Sequence, residues 1–173
     1  SDSAIVIGTV AAIEGEQTTA VTVRRYVPDM DFVVECGNRL WGCKYGIVDG
    51  QSVNAVYGSA LGDFRNWNTF AGLSTDSYAA NRGSDGVFTG AAAYLGTVLF
   101  FKENSMERLY ISASGAHQIT SLQCPGVRQG SGRSLAVGDS VLYFHGAGGV
   151  YAFDGSMPQL VSAAFGDERY ESA

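Results

Sequence analysis

Apolar residues in this chain arrive in short runs broken by glycine, aspartate and serine, and inside most runs apolar and polar positions alternate. A period of two is the mark of a strand with one buried face, and nowhere does a 3.6-residue period persist beyond two turns. The pattern predicts strands at 32–36, 39–45, 54–59 and 66–70, then at 87–95, 98–102, 108–112 and 118–122, and finally at 133–137, 141–145, 149–153 and 159–162. Asp49-Gly50, Gly146-Ala147-Gly148-Gly149 and Asp154-Gly155 supply turns between neighbouring strands. The chain reads as all-β.

The runs repeat. Gly37, Gly96 and Gly138 each open a large apolar strand, and each is followed by a strand centred on a tyrosine: Tyr57, Tyr110 and Tyr151. The tyrosines lie 53 residues apart (57 to 110) and then 41 apart (110 to 151). A four-stranded unit recurring every ~40–50 residues is the signature of a β-propeller blade. The expected fold is therefore a propeller-like array of about three four-stranded antiparallel blades, a partial propeller. Residues 31–86 form blade 1 with a long polar loop at 71–86, 87–124 form blade 2, 125–162 form blade 3, and 163–173 are a tail. Trp41, Tyr57, Trp67, Tyr110 and Tyr151 mark structural repeat positions.

Residues 1–30 do not complete a repeat. The apolar stretch 4–13 and the alternating stretch 18–25 read as outer strands of an incomplete blade or as an edge hairpin, with Gly8 and the β-branched residues opposing a helix. Three blades cannot close a ring, since propellers use about four to eight. The expectation is a fragment of a longer propeller or, preferentially, a protomer that self-associates, two copies of three blades making six.

Composition narrows the function. Of 173 residues, 16% are charged and 23 are glycine, fewer charges and about twice the glycine of an average chain, which suits sheets joined by tight turns. A net charge of -6, with Lys44 and Lys102 the only lysines, opposes nucleic-acid binding and leaves no polybasic membrane patch. Cys36, Cys43 and Cys124 lack metal-ligand spacing. Their odd number fits buried, reduced thiols better than a disulfide framework, although Cys36 and Cys43 sit on neighbouring strands. No apolar run is long enough for a membrane-spanning helix, and no signal-peptide pattern or Asn-x-Ser/Thr sequon occurs.

Little in the sequence carries chemistry. Gly130-Ser131-Gly132 and Gly146-Ala147-Gly148-Gly149 resemble phosphate loops only superficially, since strands follow them and no lysine accompanies them. His117 and His145 stand alone, and a Cys124/His117 pair lacks an orienting carboxylate. Asp76 and Asp85 share the 71–86 loop and read as solvated turn residues, their spacing unlike a calcium loop. Glu103, Glu107, Glu168 and Glu171 are expected in polar turns or the tail. No metal and no cofactor is expected.

The densest polar cluster runs from Ser59 to Phe70. It looks like the Asp-box turn of sialidase-type propellers, Ser-x-Asp-x-Gly-x-x-Trp, with Gly62 and Asp63 in swapped order. In those proteins the box is a folding element, which makes Asp63 and Trp67 structural. The arginine triad of sialidases cannot be placed.

Longer phrases point to one family. Val27-Pro28-Asp29-Met30-Asp31-Phe32, Asn38-Arg39-Leu40-Trp41-Gly42, Ser59-Ala60-Leu61-Gly62-Asp63 with Asn66-Trp67, Phe100-Phe101-Lys102-Glu103 and Gly149-Val150-Tyr151-Ala152-Phe153-Asp154-Gly155 together resemble propeller-type virion proteins of tailed phages and prophages of gut Firmicutes. The resemblance spans roughly 26–165, although such proteins run longer. It implies a non-enzymatic structural or adhesion component at or near the phage tail, assembled in the bacterial cytoplasm and docking other virion proteins, copies of itself or a host-surface glycan. A propeller lectin is the alternative, with Asp63, Arg65, Asn66 and Asn68 as the best ligand-binding set. A glycoside hydrolase on a sialidase-like propeller is the second alternative.

Overall fold

A computed structural model describes residues 26–112 and 116–165. The expectations for 1–25 and for the tail beyond 165 lie outside the described residues.

Among the described residues, twelve strands form three four-stranded sheets, each a meander of consecutive antiparallel strands. Sheet 1 holds β1 (Phe32–Glu35), β2 (Leu40–Val48), β3 (Gln51–Gly58) and β4 (Tyr78–Asn81). Sheet 2 holds β5 (Gly90–Tyr94), β6 (Thr97–Phe101), β7 (Ser105–Ile111) and β8 (His117–Gln123). Sheet 3 holds β9 (Ala136–Gly138), β10 (Val141–Gly146), β11 (Gly149–Phe153) and β12 (Gln159–Leu160). The architecture is all-β and fits a partial, propeller-like arrangement; among the described residues no closed ring is formed.

Turn chemistry fixes the registers. β2 and β3 pair through Val48↔Gln51, leaving Asp49-Gly50 as a two-residue turn with φ of +50° and +78°. That left-handed pair matches the twist of the flanking strands. Leu95-Gly96 makes the same turn between β5 and β6, at +45° and +73°. Here a leucine occupies a conformation that costs side chains with a Cβ about 1 kcal/mol.

Alternation along the strands decides what each sheet buries. Trp41, Cys43 and Val56 of sheet 1 pack against Val98, Phe100 and Leu109 of sheet 2, with Phe88 joining from the chain before β5. The other face of sheet 2, carrying Tyr94, Leu99, Phe101 and Met106, packs on Leu142, Phe144 and Phe153 of sheet 3. Sheet 2 is the middle layer, apolar on both faces, which accounts for its unbroken Val98–Phe101 run. Each such fully buried side chain contributes roughly 1.5–3 kcal/mol.

The three tyrosines all lie on third strands, but not in one phase. Tyr57, one residue past Val56, faces away from sheet 2. Tyr151 packs into the cluster between sheets 2 and 3, facing back toward sheet 2. Tyr110, adjacent to Leu109, faces forward toward sheet 3. The second repeat is therefore displaced by one residue, and Leu109 takes the side that Tyr57 and Tyr151 occupy in their own sheets.

Two strands depart from expectation. Residues 66–70 are irregular, and the fourth strand of sheet 1 is Tyr78–Asn81, inside the segment expected to be a polar loop. The 60–66 stretch spends its backbone groups on consecutive turns, closed by Asp63 N to Ala60 O at 3.1 Å and Asn66 N to Asp63 O at 3.1 Å. Tyr78 by contrast has an aromatic partner on sheet 1, Trp41, at 5.9 Å. Arg133 and Ser134, expected to begin the strand at 133–137, lie instead in a 3-10 turn (Gly132–Ser134) before β9. Glu107, expected in a polar turn, lies on β7 with no exposed surface.

Candidate functional site

Three constellations gather the polar side chains that could carry function. The first is the rim loop at 59–77, which joins β3 to β4. Arg39 reaches under it from the turn before β2 and is 3% exposed. Its guanidinium donates to the carbonyls of Ser59 (2.7 Å), Asp76 and Ser74, and it lies 5.8 Å from the Trp41 ring. One rigid fork thus holds both ends of the loop, a geometry lysine cannot reproduce. Asp76 Oδ2 accepts from Ala71 N (2.6 Å) and Leu73 N (3.0 Å), which fixes the loop's tip. That carboxylate caps backbone donors, a role opposite to the solvated one expected for it.

The loop is braced within and apolar without. Leu61, Phe64, Phe70 and Leu73 are 47%, 59%, 62% and 66% exposed. Trp67 is buried, its indole Nε1 donating to Phe64 O at 2.8 Å.

The residues read from sequence as ligand-binding all fall on this loop, where the side-chain oxygens of Asp63 and Asn66 serve its turns. Asp63 Oδ1 accepts from Arg65 N (3.1 Å). Asn66 Oδ1 accepts from Asn68 N (3.3 Å) and Thr69 Oγ1 (2.9 Å), and Asn68 Nδ2 donates to Tyr26 O (3.1 Å). The Arg65 guanidinium lies 5.5 Å from the Phe64 ring.

Beside the loop opens a cleft of about 410 Å³, whose lining includes Phe70, Leu73, Ser74, Asp76, Tyr78 and His117. The His117 and Tyr78 rings are 5.1 Å apart, and His117 lies 5.4 Å from Trp41. Burial and the charge of Arg39 push the His117 pKa down, so its imidazole is neutral at neutral pH. Its Nε2 has no hydrogen-bond partner among the described residues.

The second constellation is a buried ionic seam between sheets 1 and 2. Glu107 Oε2 accepts from Arg82 Nε (3.1 Å) and Nη2 (2.7 Å). Lys102 Nζ donates to Ser84 O (2.7 Å) and Asn54 Oδ1 (3.2 Å) and lies 4.5 Å from the Phe88 ring. Burial pushes the Lys102 pKa down. These charges face one another between two sheets and join the layers; they do not face a cleft.

The third is a serine–histidine contact on sheet 3. Ser131 Oγ and His145 Nδ1 are 3.1 Å apart, while Ser134 Oγ accepts from His145 N (2.9 Å) and donates to Ser131 O (2.7 Å). The network clasps the 131–134 turn onto β10. No carboxylate among its hydrogen bonds orients the imidazole. The thiols are free: Cys43 and Cys124 are buried and Cys36 half-buried. Burial pushes Cys124 up to about 11, and Cys36 and Cys43 are likewise raised, so all three are protonated at neutral pH.

Sequence reasoning missed Arg39, Tyr78 and the Ser131–His145 contact. Nothing local marks them: each acts on partners far along the chain, 35 and 37 residues on for the Arg39 bonds to Ser74 and Asp76. No protein-family model matches the chain, and neither does any curated protein or solved structure.

Proposed function

We propose that the chain is a non-enzymatic structural and adhesion component of a phage particle, a rigid propeller-like scaffold whose 59–77 rim docks another molecule. One observation carries the docking role: the loop held from beneath by Arg39 presents four large apolar side chains to solvent. Apolar groups on an ordered loop mark an interaction surface, and a preorganised loop loses little conformational entropy on binding. The particle context rests on the resemblance of its sequence phrases to those of propeller-type virion proteins. The partners are other virion proteins or further copies of this chain.

A second reading, adhesion to a host-surface glycan, is favoured by the cleft beside the loop, which combines aromatic walls with polar groups. Immunogold labelling of particles released by the encoding bacterium tests the main reading. Label at the tail is the expected outcome, and particles free of the protein overturn it.

A further inference from the structure

We propose that the cleft between the 70–77 loop and His117 is a binding subsite for a neutral hexose unit of a glycan, an inference that rests on the adhesion reading above. Size, wall chemistry and charge each restrict the occupant. At about 410 Å³ the cleft lies in the range of small-ligand sites and admits one or two sugar rings, not a folded partner. Its walls are of two kinds. Phe70 and Leu73 turn large apolar surfaces outward, 62% and 66% exposed, which suits the C–H face of a pyranose. Ser74, Asp76 and Tyr78 bring hydroxyl and carboxylate groups, the chemistry that pairs with ring hydroxyls, and His117 adds a further ring to the lining.

Charge excludes the acidic sugars. Asp76 lines the cleft, and the Arg39 guanidinium lies directly behind it, bonded to the Asp76 carbonyl. The two formal charges offset one another, and His117 adds none at neutral pH. An ionised ligand would lose its hydration here without gaining an opposite charge to pair with.

Saturation-transfer NMR and calorimetry on the full chain, with lactose, cellobiose, maltose and diacetylchitobiose as neutral probes and sialyllactose as the anionic one, test the assignment. At least one neutral disaccharide is expected to bind with a Kd of about 1 mM or tighter. Phe70→Ala and Leu73→Ala, both exposed positions, are expected to weaken that binding about tenfold with the thermal midpoint unchanged. Asp63→Ala and Arg65→Ala, which lie on the turn outside the cleft, are expected to leave it intact. No neutral binding at about 10 mM, binding of sialyllactose alone, or binding undiminished by both cleft variants overturns the subsite. Tail labelling without sugar binding sinks the subsite and spares the docking reading. Sugar binding by a chain absent from particles does the reverse.

Discussion

At the scale of single residues, the rim depends on Arg39. Its replacement by lysine keeps the charge and loses the fork, leaving at least two of the carbonyls of Ser59, Ser74 and Asp76 short of a donor. Arg39→Lys is expected to lower stability by about 2–3 kcal/mol, read as a shift of the urea midpoint. An unchanged midpoint would show that the loop is held by something else. Leu95 offers the opposite sign. It is 68% exposed at φ +45°, so Leu95→Asn relieves backbone strain without removing packing, and a gain of about 0.5–1 kcal/mol is expected.

His117 links the site to pH. Because burial and Arg39 hold its pKa below the ordinary 6.5, the unfolded chain binds the proton first as pH falls. This residue's contribution to stability is complete above that value and is lost as pH drops below it. Comparing urea midpoints at about pH 7.5 and 5.5, His117→Phe should flatten the dependence relative to the parent chain. Equal slopes in the two proteins would refute the assignment. None of these roles is legible in the sequence. A lone arginine before Leu40-Trp41 and a lone histidine opening a strand look ordinary until chain folding brings Asp76 and Tyr78 to them.

At the scale of elements, strand positions were legible wherever alternation and a turn signal coincided, as at 54–59 closed by Asp49-Gly50. They were not legible where turn-forming side chains lay between apolar residues. Trp67 and Thr69 alternate with asparagines, yet the Asn66 side-chain oxygen accepts from Asn68 N and Thr69 Oγ1 and folds the backbone locally, and no strand forms. The true fourth strand, Tyr78–Asn81, is short and bordered by Ser, Asp, Arg and Gly, so its composition hides it. Propensity yielded to the packing of one tyrosine on Trp41.

The seam between sheets 1 and 2 belongs to this scale too. Arg82→Met removes the only hydrogen-bond partner that the described residues give a carboxylate with no exposed surface, and about 3–5 kcal/mol should be lost. Arg82→Met with Glu107→Leu should recover most of that loss, since it removes the stranded charge as well. A double variant no better than the single would mean that the pair does not act as a unit.

At the scale of the whole molecule, layer order predicts an order of protection. Sheet 2 is covered on both faces, so amides of β6 and β7 should exchange with deuterium more slowly than those of β1 or β12. Faster exchange in sheet 2 than in the outer sheets would contradict the stacking. The outer layers carry Val33 and Ile47 on one sheet and Val137, Tyr143 and Leu160 on the other, all substantially exposed. Light scattering of the purified chain is therefore expected to report self-association at high concentration. A clean monomer throughout would end the proposal that copies pair through these layers.

Each sheet is drawn from one continuous stretch of chain, and this sets a timetable for synthesis. Sheet 1 is complete once Asn81 has left the ribosome, but the surface that covers Trp41 and Val56 is not finished until Gln123, 42 residues later (123 minus 81). At about 5–20 residues per second, that inner face waits roughly 2–8 s in contact with water. The newborn first layer is thus at its most adhesive towards other nascent chains for a few seconds, and slower translation between codons 82 and 123 would prolong that exposure.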